Sequence, residues 1–236
     1  MSRTVRVGAG GASKMRSTMA LTPELAAWRK TERARLIAAR LATPLDVRAL
    51  CAQRIDGYLR RGFPLLARLT IGLCWPYQGE YDARGVAAEF RQQGARLALP
   101  SVVAKAQPLE FLEWWPEVAM RAGVYDIPVP MDTQSVVPEA LLIPVVGIGA
   151  VGDRLGYGGG FYDRTLAALR PRPLTIAIAH DAARVATTYP QDHDILMDFV
   201  VTESGIEAAV PGGLERIDEA EAARRAEALW AARSGA

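Results

Sequence analysis

Residues 141–164 have the sequence LLIPVVGIGAVGDRLGYGGGFYDR, which combines an apolar run with two groups of glycines. The run Leu141–Val146 is short and aliphatic and ends at glycine, which is typical of a strand buried on both faces. The second glycine group, 156–160, leads into Phe161–Leu169, for which we predict a helix. A buried strand followed by a loop and a helix is the repeating unit of a parallel α/β sheet.

The same alternation extends in both directions along the chain. Further apolar runs predict strands at Leu69–Trp75, Arg96–Val103, Leu174–Ala179 and Phe199–Thr202. Helix periodicity and capping residues predict helices at 22–41, 46–61, 82–93 and 218–233. The pattern favours an α/β fold with one mostly parallel sheet flanked by helices on both faces, in a three-layer, Rossmann-like arrangement. The less regular stretch 107–138 predicts a hairpin or an excursion over one end of the sheet.

Composition indicates a single folded domain. The chain has 236 residues, of which 50% are hydrophobic and 23% charged, so disorder and a coiled coil are excluded as the main architecture. No linker divides residues 22–236, which we expect to form one domain, whereas the glycine- and serine-rich residues 1–21 predict a flexible leader. Two cysteines, Cys51 and Cys74, cannot form a disulfide framework, which favours a reducing cytoplasm.

Charge is distributed unevenly along the chain. Residues 1–70 contain 14 Lys and Arg against 4 Asp and Glu, although the net charge of the whole chain is +2. A basic segment of this kind suits a polyanion such as a nucleotide, although solvated helix faces account for most of these arginines. No aromatic residues alternate with these cations, and the longest apolar stretch, 140–152, is too short to cross a bilayer. We expect a monomer with small-molecule partners and no nucleic-acid or membrane partner.

The first glycine group matches the dinucleotide-binding pattern GxGxxG at Gly147, Gly149 and Gly152. That fingerprint requires its third glycine in the first turn of a helix, with an acidic residue about 20 residues further on. Here the sequence DRLGYGGG follows Gly152 and cannot continue as a helix. A nicotinamide oxidoreductase is therefore the weaker interpretation of this segment.

The second glycine group favours an anion site. A glycine loop before a helix N-terminus offers backbone N–H groups and the positive end of the helix dipole. Arg154 and Arg164 flank the loop and can form bidentate contacts with phosphate, and Asp163 can hold Mg²⁺ between phosphates. A tight structural turn, with Asp163 as a helix cap, is the simpler alternative.

The segment RLGYGGGFYDR, residues 154–164, resembles the RxGxGGGYYDR motif of 5-formyltetrahydrofolate cyclo-ligases, also called methenyltetrahydrofolate synthetases. GARLALP at 94–100 and DHDILMDFVVTE at 192–203 resemble two further motifs of that family, and the resemblance extends from about Glu24 to Ile206. It implies a single α/β domain that uses ATP and Mg²⁺ to convert 5-formyltetrahydrofolate into 5,10-methenyltetrahydrofolate, ADP and phosphate, through phosphorylation of the formyl oxygen.

The resemblance also implies roles for individual residues. It places Arg154, Tyr162 and Asp163 at the catalytic centre, and Asp163 and Asp194 around Mg²⁺. It implies that ATP contacts Arg29, Arg154, Leu155, Gly156, Tyr157, Gly158, Gly159, Gly160, Phe161 and Tyr162. It implies that the folate contacts Trp75, Glu80, Tyr157, Gly158, Gly159, Gly160 and Phe161. His180 and His193 lack the spacing of zinc ligands, and we expect them to be structural or surface residues.

Several positions depart from the family pattern. Leu25 stands where the family has the lysine of an N-terminal Lys-xxx-Arg pair. Gly149 replaces an aspartate, and His180 and Ala183 replace an aromatic residue and a glutamine. A second interpretation therefore stays open, namely a paralogue that binds nucleotide or folate without turnover, or that uses the same ATP–Mg²⁺ site on another substrate. The glycine loop and the two carboxylates favour the active enzyme.

Overall fold

The computed structural model describes residues 22–191 and 194–235. The predicted leader, residues 1–21, lies outside the described residues, and so does His193. Five α-helices are described, namely α1 Pro23–Ala42, α2 Leu45–Gly62, α3 Arg84–Gln93, α4 Phe161–Ala168 and α5 Glu219–Ser234. The same residues contain twelve strands, namely β1 Thr70–Gly72, β2 Arg96–Ser101, β3 Glu110–Trp114, β4 Met120–Ala122, β5 Pro128–Pro130, β6 Ala140–Pro144, β7 Gly147–Ile148, β8 Arg154–Leu155, β9 Leu174–Ile178, β10 Phe199–Thr202, β11 Gly205–Val210 and β12 Gly213–Ile217.

Eight strands form one sheet in the order β12–β11–β10–β9–β6–β1–β2–β3. Strands β10, β9, β6, β1 and β2 are parallel to one another, whereas β3, β11 and β12 add antiparallel edges. The predicted mostly parallel sheet is therefore confirmed. The strand order reverses between the central strands β1 and β6: after β1 the chain adds β2 on one side, and after β6 it adds β9 on the other. In such sheets ligands bind at the carboxyl ends of the strands where the order reverses.

The sheet is covered on both faces, as predicted. Adjacent residues of a strand point to opposite faces, so Leu142 and Ile143 in β6 belong to two different apolar clusters. The cluster of Leu142 includes Phe63 and Phe199, whose rings meet edge to face at 5.1 Å, and packs under α2, α3 and α5. The cluster of Ile143 includes Leu166 of α4. Together the two clusters give the three-layer arrangement, in which α4 holds the glycine loop against the sheet.

Three parts of the fold differ in detail from the predicted strands or add to them. The predicted strand Leu69–Trp75 pairs with both neighbours only over β1, which leaves the following residues free to turn into the ligand-binding end of the sheet. The hairpin predicted within 107–138 is present as β4 and β5. The hairpin of β11 and β12 was not predicted, because β12 lies on an exposed edge and its sequence, GLERI, has no strand-like apolar run.

The GxGxxG segment forms a hairpin instead of a nucleotide-binding turn. Gly152 has φ +81° and lies in the turn between β7 and β8, so a strand and not a helix comes directly after it. The fingerprint therefore lacks the helix N-terminus that it needs for pyrophosphate, and the oxidoreductase interpretation is wrong. In the described part of the chain, no helix has the length and apolar character needed to cross a membrane.

Candidate active site

The glycine loop enters α4 through two residues in conformations that favour glycine. Gly158 has φ +93° and Gly160, the N-cap of α4, has φ +63°. Because Gly160 has no side chain to cap the helix, the first N–H groups of α4 face the loop. The Arg164 guanidinium donates to the Gly159 carbonyl and so braces the loop from its own helix. The loop thus leads into a helix N-terminus as predicted, and anion binding there stays a prediction.

This loop forms one wall of an open cleft of about 730 Å³ at the carboxyl ends of β1 and β6. Every site residue implied by the resemblance lines the cleft: Arg29, Trp75, Glu80, Arg154, Leu155, Gly156, Tyr157, Gly158, Gly159, Gly160, Phe161, Tyr162, Asp163 and Asp194. They come from α1, the segment after β1, the loop from β8 to α4, and the segment before β10. Only the tertiary fold brings these four parts of the chain together.

Arg154 is the most buried cation in the cleft, with its side chain 6% exposed. Its Nη2 donates to Asp163 Oδ1 at 2.6 Å, and its Nη1 donates to the Ile195 carbonyl. The Ile195 backbone N–H also donates to Asp163 Oδ1, at 3.2 Å. These three residues therefore fix one another, and the guanidinium is held at the floor of the cleft in a single orientation.

Arg29 joins helix α1 to the segment that carries Asp194. Its Nη2 donates to Asp194 Oδ2 at 2.9 Å and to the Tyr189 carbonyl at 2.8 Å. Both side chains of this ion pair are 12% exposed, so the pair is well shielded from water. Leu25, one helical turn earlier, is buried at 6% exposure. A lysine at that position would bury its charge, which explains physically why leucine suits this chain.

Two cations that the sequence analysis did not assign also reach the site. Arg33 lines the cleft, and its Nε donates to the Gly156 carbonyl at 2.7 Å. Arg40, two turns further along α1, donates to the Tyr157 hydroxyl at 2.7 Å. Burial and the neighbouring charge of Arg29 lower the pKa of Arg33. A spacing of four residues from Arg29 to Arg33 places both on one face of α1, and this signal was available in the sequence.

Glu80 and Tyr157 form a further polar pair in the cleft, next to Arg40. The Tyr157 hydroxyl donates to Glu80 Oε1 at 2.8 Å, and the Tyr77 backbone N–H donates to Glu80 Oε2 at 3.0 Å. Burial raises the pKa of Glu80, although these two hydrogen bonds and the charge of Arg40 oppose the effect. The carboxyl group is thus positioned to accept hydrogen bonds from a ligand in a partly apolar setting.

Cys74 and Tyr162 meet at the base of the cleft, and Cys74 is a lining residue that the sequence analysis did not predict. The Cys74 Sγ and the Tyr162 hydroxyl oxygen are 2.6 Å apart. Burial raises the pKa of Cys74 to about 12 and the pKa of Tyr162 well above its ordinary value. Both groups are therefore protonated at neutral pH, and Tyr162 can donate a hydrogen bond but cannot act as a base.

An apolar wall completes the cleft. Trp75 lies under the guanidinium of Arg84, whose Cζ is 4.0 Å from the ring centroid. The β4–β5 hairpin adds a further group of mostly apolar lining residues: Val124, Tyr125, Ile127, Pro128 and Val129. A cleft whose lining combines cations and carboxylates with an aromatic, apolar surface suits a ligand that has a charged part and a flat ring.

Fold and site together define an α/β protein with a glycine loop and a helix N-terminus at the switch point of its sheet, an arrangement typical of anion-binding proteins. The model of the 5-formyltetrahydrofolate cyclo-ligase family matches residues 25–203. The 5-formyltetrahydrofolate cyclo-ligase of Escherichia coli is 30% identical over 150 residues, covering 61% of this chain and 82% of the relative. That of Mycolicibacterium smegmatis is 29% identical over 178 residues, covering 72% and 91%.

Solved structures agree in fold. A 5,10-methenyltetrahydrofolate synthetase from Mycoplasma pneumoniae superposes with a TM-score of 0.62 at 21% identity, covering 74% of this chain and 98% of that one. One from Aquifex aeolicus gives a TM-score of 0.67 at 20% identity, covering 80% and 96%. The chain belongs to the 5-formyltetrahydrofolate cyclo-ligase family and is a ligase. The recognition made from the three sequence motifs is confirmed.

Proposed function

We propose that the protein uses ATP and Mg²⁺ to cyclise 5-formyltetrahydrofolate to 5,10-methenyltetrahydrofolate, with release of ADP and phosphate. One observation carries the proposal: the cleft joins the glycine loop and its cations to an apolar wall that includes Trp75 and Glu80. The loop, Arg29 and Arg154 suit the phosphates of ATP, and the apolar wall suits the pterin and benzoyl rings of a folate. The protein is proposed to work as a cytoplasmic monomer.

The donor set of the cleft fits a magnesium ion. Asp163 and Asp194 both line the cleft that contains the glycine loop. Mg²⁺ in nucleotide sites is held by one or two carboxylates together with phosphate oxygens and water, and these two residues would hold it. When bound, the ion neutralises charge on the transferred phosphoryl group. Arg154 and Arg29, which pair with these carboxylates, orient them in advance.

Phosphoryl transfer is the first chemical step of the proposed reaction. The formyl oxygen of the substrate attacks the γ-phosphorus of ATP, the bond from that phosphorus to the bridging oxygen breaks, and ADP leaves with that electron pair. The formyl group, a poor leaving group as an amide, becomes a phosphorylated imidate. Such transfers depend mainly on positioning and charge stabilisation. In this chain Arg154 and the N–H groups at the start of α4 would stabilise the γ-phosphoryl oxygens.

Ring closure follows in the same cleft. N10 of the folate attacks the activated formyl carbon, and phosphate leaves with the former formyl oxygen and the electrons of its bond to carbon, while the N10 proton passes to solvent or phosphate. The step requires N10 to be held close to that carbon, which is a task of shape and orientation. Glu80 and the Trp75 ring would hold the pterin, and the apolar wall limits water that could hydrolyse the imidate.

The test mixes purified protein with Mg²⁺, ATP and 5-formyltetrahydrofolate and follows the absorbance of methenyltetrahydrofolate. Product that forms only with all three components, together with stoichiometric ADP, supports the proposal. Binding of ATP or folate in calorimetry without any product would contradict it and favour the non-catalytic paralogue.

A Glu80→Gln variant tests the role of the buried carboxyl. We expect the KM for the folate to rise about 10-fold with a smaller change in kcat, because a charged acceptor is replaced by a neutral amide. Burial raises the pKa of Glu80. As the pH falls, its carboxylate therefore becomes protonated at a higher pH than an ordinary glutamate does. In wild type the folate affinity should therefore fall as the pH is lowered, and this fall should begin at a higher pH than for an ordinary carboxyl group. The same pH dependence in the Gln variant would contradict this role.

Arg33 is proposed to supply the cation that Leu25 cannot. An Arg33→Leu variant should raise the KM for ATP about 10-fold, because one charge-assisted contact to phosphate is lost. Arg35→Leu is the matched control, since Arg35 lies on the same helix but is 58% exposed and pairs with Glu32. Steady-state kinetics of both variants decide the matter. An equal change in both would assign the effect to helix charge in general.

A further inference from the structure

A second cluster of potential metal ligands lies outside the cleft. It consists of Cys51 on α2, His180 directly after β9 and Glu203 directly after β10. Each of the three residues is partly buried, and they come from distant parts of the chain. None of them lines the active-site cleft or takes part in the proposed reaction. The expectation that His180 is merely a structural or surface residue did not foresee this arrangement.

The geometry of the cluster is close to that of a metal site. One ligand atom from each residue lies within 4.8 Å of the other two. His180 Nδ1 and Glu203 Oε2 are 3.6 Å apart. Ligand atoms of tetrahedral zinc are about 3.3–3.7 Å apart, given bond lengths of about 2.0–2.3 Å. The histidine and the carboxylate already have this separation, and the thiol needs to approach by about 1 Å at most.

The Glu203 carboxylate is also held in place by the backbone. The Asp181 N–H donates to both of its oxygens, at 3.2 and 3.1 Å. Asp181 itself is fixed by an ion pair with Arg184 and a hydrogen bond from Ser204. Outer contacts of this kind orient metal ligands and are a regular part of metal sites.

We propose that Cys51, His180 and Glu203 form a binding site for a transition-metal dication of the zinc type, with water in the fourth position. Thiolate and imidazole select such ions over Mg²⁺ and Ca²⁺, which prefer oxygen ligands. Binding replaces the thiol proton of Cys51, which passes to solvent. The thiolate and the carboxylate then neutralise the dication, so the nearby Arg48 and Arg54 face a complex without net charge.

The site would join α2 to the ends of two parallel strands, β9 and β10. His180 also borders a small cavity that it shares with Arg40 and Glu80, two residues of the active-site network. An occupied site would therefore stiffen the side of the sheet that supports Arg40. This inference does not depend on the proposed reaction, because its test measures metal binding alone.

The experiment titrates metal-free, full-length protein with Zn²⁺ in a calorimeter and with Co²⁺ in a spectrophotometer. We expect one Zn²⁺ per chain, a thiolate-to-cobalt charge-transfer band and a higher Tm with Zn²⁺. Cys51→Ser and His180→Ala should each weaken Zn²⁺ binding at least about 100-fold and abolish the increase in Tm. Cys74→Ser, His193→Ala and Asp194→Asn are matched controls, since each removes a potential ligand elsewhere in the chain, and the cobalt band should persist in all three.

Three results would overturn the proposal. The first is a cobalt spectrum without a thiolate band, the second is unchanged Zn²⁺ affinity in Cys51→Ser, and the third is loss of the band in Cys74→Ser. Thermal unfolding of each variant without metal, compared with metal-free wild type, shows whether the substitution itself has damaged the fold.

Discussion

An Arg154→Lys variant is expected to lose about a thousandfold in kcat, or about 4 kcal/mol of transition-state stabilisation. Arg154 is almost completely buried, and its planar guanidinium contacts the Asp163 carboxylate and the Ile195 carbonyl at the same time. Lysine keeps the charge but has no fork that can make both contacts and also meet a phosphoryl oxygen. Arginines that stabilise phosphoryl transfer contribute about 10³–10⁵ to the rate.

Arg164→Lys is the matched control for the Arg154→Lys variant. Arg164 belongs to the same motif, but its guanidinium braces the Gly159 carbonyl and stacks on the Phe161 ring. We expect its kcat to fall less than tenfold. Both variants are measured by initial rates at saturating ATP and folate, with Tm and calorimetric ATP affinity recorded in parallel. Equal losses in the two variants would mean that the loop needs positive charge in general, and would remove the special role of Arg154.

An Asp198→Asn variant is expected to lose about 3 kcal/mol of unfolding free energy, which corresponds to a fall in Tm of about 6–12 °C for a chain of this size. Asp198 is 9% exposed and accepts both guanidinium branches of Arg233, at 2.7 and 2.8 Å. It also accepts the backbone N–H and the hydroxyl of Thr175. The amide would leave Arg233 without its partner charge and would lose one acceptor oxygen.

The unfolding free energy of the same variant, measured with urea, should also depend on pH differently from that of wild type. Burial raises the pKa of Asp198, but the hydrogen bonds and charge of Arg233 outweigh burial and leave the pKa below its ordinary value of 3.8. A carboxyl with a lowered folded-state pKa stabilises the protein above its unfolded-state pKa, and this stability is lost as the pH falls through the folded-state pKa. Wild type should therefore lose more stability than the variant below about pH 4.

Glu221→Gln is the matched control for this experiment. Glu221 also accepts from two arginines, Arg224 and Arg225, but it lies on the exposed face of α5 with its side chain 30% exposed. Exposed pairs contribute little, so we expect a loss close to the error of the measurement. A loss in Asp198→Asn no larger than this would show that the Arg233 pair contributes no more than an exposed one.

Local sequence was sufficient to predict those elements whose apolar pattern, glycines or capping residues lie within or next to them. The apolar run of β6, the glycines before α4 and the Thr22 cap with Pro23 at the start of α1 all lie within a few residues of what they specify. Thr22 indeed accepts a hydrogen bond from the Leu25 N–H, as a capping residue does. The three family motifs also predicted the family, since their order along the chain is a property of sequence alone.

Other features depend on partners that are distant in sequence. The pairing of Arg233 with Asp198 and of Arg29 with Asp194 joins residues 35 and 165 positions apart, and the Cys74–Tyr162 contact spans 88. The edge hairpin of β11 and β12 likewise depends on pairing with β10 more than on its own composition. The sequence pattern does not predict such contacts. Each residue type involved is common, and the fold of the chain determines which residues become neighbours.

The sequence by itself determined the layered α/β architecture, the glycine loop before α4 and the family, because these follow from local periodicity, from the glycine cluster and from motif order. Only the tertiary structure decided which cations face the loop and which pKa values are shifted. It showed that Leu25 is buried, that Arg33 reaches the cleft, and that Cys51, His180 and Glu203 meet. These properties depend on burial and on distances across the sheet, which arise only when strands distant in sequence align side by side.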